Sequence, residues 1–195
     1  MKQQRPYSMS HRAEQASATA DRIADAAVQL FMEQRFADVT LTAIARAAGV
    51  SHQTVLNHFE SKEGVAYAAA VRISAATDSA RADPPSRDAT AVVAMLIDEY
   101  ERMGDANVRW AMDAEQLGSL VSFLERARAS HRAWLAAAFA DRLPVDGDER
   151  DIVLTALHAA TDVYTWKLMR RDLELSRDVT ERAVLHLVEG ALAAH

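Results

Sequence analysis

No cysteine occurs in the 195-residue chain, which removes disulfide frameworks, thiolate zinc sites and cysteine nucleophiles together. That absence suits a reducing compartment. Long apolar runs are missing as well: the longest stretches, Ala66 to Val71 and Trp134 to Ala140, are too short to span a bilayer, and the first twenty residues are polar. The expectation is a soluble, cytoplasmic protein with neither a signal peptide nor a membrane helix. An excess of positive charge is also absent, since 22 Lys and Arg face 28 Asp and Glu, for a net charge of -6. Taken whole, that balance opposes nucleic acid, because neutralising phosphates needs Lys and Arg. Its distribution tells more. Residues 1–62 hold seven Lys/Arg against six Asp/Glu, while residues 63–195 hold fifteen against twenty-two, so the acidity belongs to the C-terminal two thirds. This asymmetry points to two modules with different partners.

Alternating apolar and polar residues bounded by turn dipeptides, the mark of a sheet, are not found. From residue 19 onward nearly every segment instead repeats apolar residues at i, i+3, i+4 and i+7, so the expected fold class is all-α. A first helix, from near Thr19 to near Arg35, buries Ile23, Ala26, Ala27, Leu30 and Phe31 and exposes Asp21, Arg22, Asp25, Gln29 and Glu33. Residues 1–18, with Lys2, Arg5, Arg12 and Glu14, have no apolar face and read as a disordered arm. A long helix starting near Ser61 must stop at Asp83-Pro84-Pro85-Ser86, and Pro144-Val145-Asp146-Gly147-Asp148 makes a second break. Around these breaks we expect helices at about 88–103, 106–117, 119–142, 149–171 and 178–193, the last opened by Ser176 or Asp178.

The informative stretch runs from Val39 to Phe59. Thr40 can cap a short helix whose inner side is Leu41, Ile44, Ala45 and Ala48, small enough for a close helix crossing. Gly49 supplies a left-handed residue that ends this helix at low cost. Val50 plugs the turn, Ser51 caps the next helix, and Val55 and Phe59 anchor that helix to the core. The pattern is a helix-turn-helix. With Val55 and Phe59 inward, His52, Gln53, Thr54, Leu56, Asn57 and His58 remain wholly or partly outward on a helix two turns long. Gln and Asn can pair bidentately with adenine, and a His donor can reach guanine acceptors, so His52 and Gln53 are the expected base readers. Thr54, His58, the backbone amides at the two helix starts and Lys62 are the expected phosphate contacts.

These residues resemble the N-terminal domain of the tetracycline-repressor (TetR) family of regulators. The resemblance covers about residues 19–66: the amphipathic first helix ending at Phe31, the Thr40 cap, Ile44-Ala45, Ala48-Gly49-Val50-Ser51, Thr54-Val55, Asn57-His58-Phe59 and Ser61-Lys62-Glu63. It departs from the family where Leu56 replaces a usual aromatic and His58 a frequent tyrosine. Leu56 cannot donate a hydrogen bond to a phosphate, whereas His58 keeps a donor. The resemblance implies a DNA-binding set of Thr40, Thr42, Ser51, His52, Gln53, Thr54, Leu56, Asn57, His58 and Lys62. It also divides the chain into a 1–18 arm, a three-helix DNA-binding domain at 19–63, and a helical effector-binding and dimerisation domain at 64–195.

In the C-terminal region, large aromatic and methionine side chains recur at Met95, Tyr100, Met103, Trp110, Phe123, Trp134, Tyr164 and Trp166, and such groups line cavities for apolar ligands as readily as they fill a core. His158 and Asp162 lie one helical turn apart, a spacing that suits either a metal pair or an internal ion pair; no third ligand accompanies them. The same eight residues with His158 and Asp162 are the candidate effector pocket. The acidic balance favours a lipophilic effector that is neutral or cationic. Ile152, Leu154, Leu157 and Val163, with either Val179, Ala183, Leu187 and Ala191 or Val184, Leu185, Val188 and Leu192, give the last two helices broad apolar faces. The resemblance implies that they pair two chains as a four-helix bundle, matching two recognition helices to a palindromic operator. The expected function is a ligand-responsive transcriptional repressor with no cofactor, metal or catalytic residue. An all-helical enzyme using His158, Asp162 or His131 as general base is the alternative, without a nucleophile motif or phosphate loop to support it. A non-specific DNA binder would need a far more basic surface.

Overall fold

A computed structural model describes residues 7–82, 88–118, 120–145 and 147–193, all helical or in short connections, with no strand among them. The helices are α1 (Tyr7–Glu33), α2 (Leu41–Ala48), α3 (His52–Phe59), α4 (Lys62–Ala80), α5 (Ala89–Leu117), α6 (Val121–Ala138), α7 (Asp148–Thr161), α8 (Val163–Lys167) and α9 (Arg177–Ala193). A 3₁₀ turn at Ala140–Arg142 follows α6, and a π turn at Leu168–Asp172 follows α8. The chain divides into two compact units, residues 1–75 and 76–195. The Asp83–Ser86 break falls outside the described residues.

In the first unit, Ile23, Ala27 and Phe31 of α1 are buried, as the periodicity requires, and join Val39, Ile44, Ala45 and Val55 in the core. The start of α1 differs from expectation. It begins at Tyr7 and not near Thr19, although side chains from Arg12 to Ala18 are exposed. Ala, Glu, Gln and Arg dominate that stretch, and such residues propagate a helix outward from a packed turn without any burial of their own. Thr19 does not cap this helix; its hydroxyl donates back to the Gln15 carbonyl at 2.9 Å. Residues 1–6 of the expected arm lie outside the described residues.

The boundary between units falls inside α4, not at residue 63. Arg72 explains why: its guanidinium bonds Asp21 and, at 3.0 Å, Asp25 of α1, so the first turns of α4 belong with the N-terminal helices.

In the second unit α7 packs on α9, and α5 packs on α6, α8 and α9, around a core that includes Leu96, Ile97, Leu135, Phe139, Leu157, Trp166 and Val188. Two expected boundaries are corrected here. The separate helices at 88–103 and 106–117 are one, α5, opened by Asp88, whose carboxylate accepts from the Thr90 amide at 3.1 Å. Gly104 does not break it. A Cβ on Gly104 would overlap the Trp166 ring, so this glycine serves a close approach between helices. Conversely, the single helix expected at 149–171 is interrupted at Asp162, whose backbone turns extended (φ -70°, ψ 148°) while its carboxylate accepts from the Tyr164 amide at 2.8 Å. An Asp in mid-pattern here acts as an N-cap.

Candidate nucleic-acid interface

Two side chains punctuate the helix-turn-helix. The Thr40 hydroxyl accepts from the Ala43 amide at 3.1 Å, and Ser51 Oγ accepts from the Thr54 amide at 3.0 Å. Between them Gly49 adopts φ 66°, ψ 36°, and its amide donates to α2 carbonyls, so the left-handed stop expected of this glycine is what forms. Val50 N–H then donates to the Ala45 carbonyl at 2.9 Å. The turn is therefore fixed by its own backbone before any packing.

Val55 of α3 is fully buried and Phe59 half-buried, which turns His52, Gln53 and Asn57 to solvent and leaves Thr54, Leu56 and His58 half-exposed. Gln53 Nε2 donates to Asn57 Oδ1 at 3.0 Å, so two of the exposed groups form one unit. The Thr54 hydroxyl shares a hydrogen with Ser51 Oγ at 2.8 Å and is part of the cap. His58 lies tilted against Phe59, ring centroids 6.2 Å apart. Thr40 and Thr42 are exposed at the start of α2.

The α3–α4 junction is tight. Glu60 takes a positive φ of 63° and donates its amide to the Leu56 carbonyl at 2.8 Å, while Ser61 Oγ accepts from the Gly64 amide at 3.1 Å to start α4. A Cβ on Gly64 would strike the Phe59 carbonyl oxygen, so only glycine lets α4 begin this close to the end of α3. Lys62, expected as a phosphate contact, has Nζ 3.3 Å from the Ala37 carbonyl and 4.3 Å from the Phe36 ring centre. It thus ties the α1–α2 connection to the head of α4.

The second unit holds a buried polar chain that the sequence did not reveal. Arg81, directly after α4, forms a two-pronged pair with Glu99 of α5 at 2.8 and 3.0 Å, both side chains about nine-tenths buried. Its third nitrogen meets His131 Nδ1 at 3.0 Å, and His131 Nε2 meets the Thr161 hydroxyl at 2.9 Å, which passes its own hydrogen to the Leu157 carbonyl at 2.7 Å. Arg81 can only donate, so His131 is the neutral tautomer carrying its proton on Nε2. Burial first, then the charge of Arg81, holds its pKa down at about 3. No local pattern links residues 81, 99, 131 and 161, which is why sequence reading missed Arg81 and Glu99.

The candidate pocket residues are scattered over this unit. Tyr100 is buried and donates to the Thr161 carbonyl at 2.9 Å; Trp166 is buried and donates from its indole to Glu101 at 3.0 Å. Trp134 stacks on His131 and lies under Arg81, yet its buried indole N–H meets no acceptor. Met95 packs at the edge of the core, and Met103, Trp110, Phe123 and Tyr164 are half-buried. His158 Nε2 lies 3.5 Å from Asp162 Oδ2, and among the described residues no three His, Cys, Asp or Glu gather that could hold a metal.

Residues 23–69, spanning this helix-turn-helix, match the family described as bacterial regulatory proteins, tetR family. Residues 23–69 are thus a TetR-type DNA-binding domain. The HTH-type transcriptional regulator AlkX of Mycobacterium tuberculosis is 37% identical over 68 residues, which cover 35% of this chain and 30% of AlkX. The alignment therefore spans less than a third of that relative. Over the whole chain, a tetR-family regulator from Streptomyces coelicolor superposes with a TM-score of 0.73 at 16% identity, covering 90% of this chain and 83% of its own. A transcriptional regulator from Rhodococcus sp. Rha1 superposes with a TM-score of 0.73 at 17% identity, covering 90% and 96%. At such identities these likenesses establish the TetR-type fold of both units and nothing finer. No described helix is long and apolar enough to cross a membrane.

Proposed function

We propose that this chain is a cytoplasmic, ligand-responsive transcriptional regulator of the TetR type that acts as a homodimer and represses from a palindromic operator until a small molecule releases it. The observation that carries the reading is the exposed polar ridge of α3, held by two side-chain caps and a glycine turn. His52 and Gln53 read bases near the helix N-terminus. Thr40, Thr42, Ser51, Thr54 and His58, with the amides at the two helix starts, fix the register on the phosphates, with Asn57 beside Gln53 on the DNA-facing side and Leu56 in apolar contact. Lys62 serves the same surface, both as a charge near the backbone and as the brace on Ala37.

Dimerisation is supported by the outward faces of the last long helices. Val184, Val188 and Leu192 of α9 are buried within the chain, while Val179 and Leu187 on its other side are each 45% exposed, and Ile152 of α7 is 60% exposed. An open groove along α7, lined by Asp151, Ile152, Thr155, Ala156 and Ala159, continues that apolar surface. Two copies sharing these faces would present two α3 helices to two half-sites.

The effector would be lipophilic, neutral or cationic, and held among Met95, Tyr100, Met103, Trp110, Phe123, Trp134, His158, Asp162, Tyr164 and Trp166. The buried indole N–H of Trp134 offers it a hydrogen bond. An enzymatic reading has little to draw on: His131 has both ring nitrogens engaged and is neutral, and His158 is paired with Asp162.

A gel-shift titration against DNA selected from random sequence, with scrambled duplex as competitor at fixed salt, tests the proposal. A discrete complex of two protomers per site that resists competitor is expected. Equal affinity for selected and scrambled duplex would overturn it.

A further inference from the structure

The base-reading ridge of α3 contains a feature that its residue types alone do not dictate. Gln53 and Asn57, four residues apart on the exposed face of α3, are joined amide to amide at 3.0 Å. Each carboxamide has one acceptor oxygen and one NH₂. Joining them engages one N–H and one oxygen, and leaves the whole oxygen of the donating amide and the whole NH₂ of the accepting one unengaged, besides one residual N–H and one lone pair at the joint. The same count results whichever amide donates. With Gln53 Nε2 as the donor, Gln53 Oε1 and Asn57 Nδ2 are the amide atoms that this bond leaves unengaged, both on exposed residues.

We propose that Gln53 and Asn57 act as a single composite reader of one adenine in each operator half-site, with Gln53 Oε1 accepting from adenine N6 and Asn57 Nδ2 donating to N7. This rests on the DNA-reading proposal above and makes Asn57 a specificity residue alongside Gln53.

The chemistry selects the base. In the major groove adenine presents an acceptor and a donor side by side, guanine two acceptors, thymine an acceptor and a methyl, and cytosine a donor. Among single bases, an edge with one acceptor and one donor satisfies both groups only on adenine. A single glutamine or asparagine can make the same pair of bonds alone, but it must then be fixed from rotation about its own side chain. Here each amide is held by the other, and Val55 on the opposite face holds the helix. The reader is thus set before DNA arrives, and losing either half releases the other.

The test uses the full-length chain, its selected operator, and atom-level changes in the DNA. Gln53→Ala and Asn57→Ala should each weaken binding about tenfold or more at the same adenine, and the double variant little beyond either single one. Replacing that adenine by 7-deazaadenine, which lacks the N7 acceptor, should weaken the native protein but leave Asn57→Ala unaffected; a purine lacking the N6 amine should do the same for Gln53→Ala. Asn57→Asp, which loses the donor and brings a negative charge to the DNA face, should weaken binding at least as much as Asn57→Ala, and unchanged thermal melting would show that the exposed substitutions leave the fold intact. Losses that add independently, or that map to different base pairs, would overturn the composite reader while leaving DNA reading in place. Native protein that treats selected and scrambled DNA alike would overturn both.

Discussion

Arg81 is the residue whose loss of partner should matter most. A guanidinium about nine-tenths buried is tolerable because Glu99 grips it twice and His131 takes a further N–H. Removing the carboxylate in Glu99→Ala strands that charge and should cost about 3–5 kcal/mol in chemical denaturation. The double variant Arg81→Met, Glu99→Leu removes both charges together and should recover most of the loss, since apolar replacements of buried pairs are often neutral. His131 makes a separate prediction about pH. Its folded pKa of about 3 lies below its ordinary value of 6.5, so the unfolded chain binds the extra proton as pH falls. The stability owed to neutral His131 is complete above pH 6.5 and is lost as pH drops from there towards 3, at up to about 1.4 kcal/mol per pH unit. His131→Gln keeps a donor and an acceptor without titrating. Its melting temperature should fall less than that of the native chain between pH 7 and pH 5, and parallel curves would sink this account.

Glycine and aspartate decide the elements in which sequence and structure part. At an ordinary helical site Gly→Ala adds about 0.5–1 kcal/mol of stability. In α5 the sign should reverse: Gly104→Ala drives a methyl into the Trp166 ring and should destabilise by about 1–3 kcal/mol, measured by denaturant melts. Gly64→Ala pushes against backbone, the Phe59 carbonyl, and should abolish operator binding by prising α3 from the head of α4 while the C-terminal unit remains folded. Such effects mark what could be read in the linear chain. Thr40, Gly49, Ser51 and Val55 act on neighbours within a few residues, so the helix-turn-helix and its outward face were legible down to individual caps. The start of α1 was not, because residues 12–18 are helical by propensity with no buried face to announce it. The continuity of α5 through Gly104 was hidden because the group that this glycine accommodates, Trp166, lies sixty-two residues away; Asp162 looked like helix because its capping role depends on the turn around it. The pair of Arg81 and Glu99 left no trace in any window.

For the molecule as a whole the proposed dimer is the quantity to test. The buried and exposed sides of α9 are distinct, so Leu187→Glu should leave the protomer folded, its other face still packed through Val184, Val188 and Leu192, while halving the mass seen by light scattering. A variant that stayed dimeric would move the interface elsewhere. The division of the chain into two units also has an optical side. All three tryptophans, Trp110, Trp134 and Trp166, lie beyond residue 75, so the unit that carries the recognition helix is dark in tryptophan emission. Fluorescence therefore reports the C-terminal unit alone, without any label. Quenching or a wavelength shift on adding operator duplex would be a message received outside the unit that carries the DNA-reading helix, and its size, titrated with and without a candidate effector, would measure the communication between the two units.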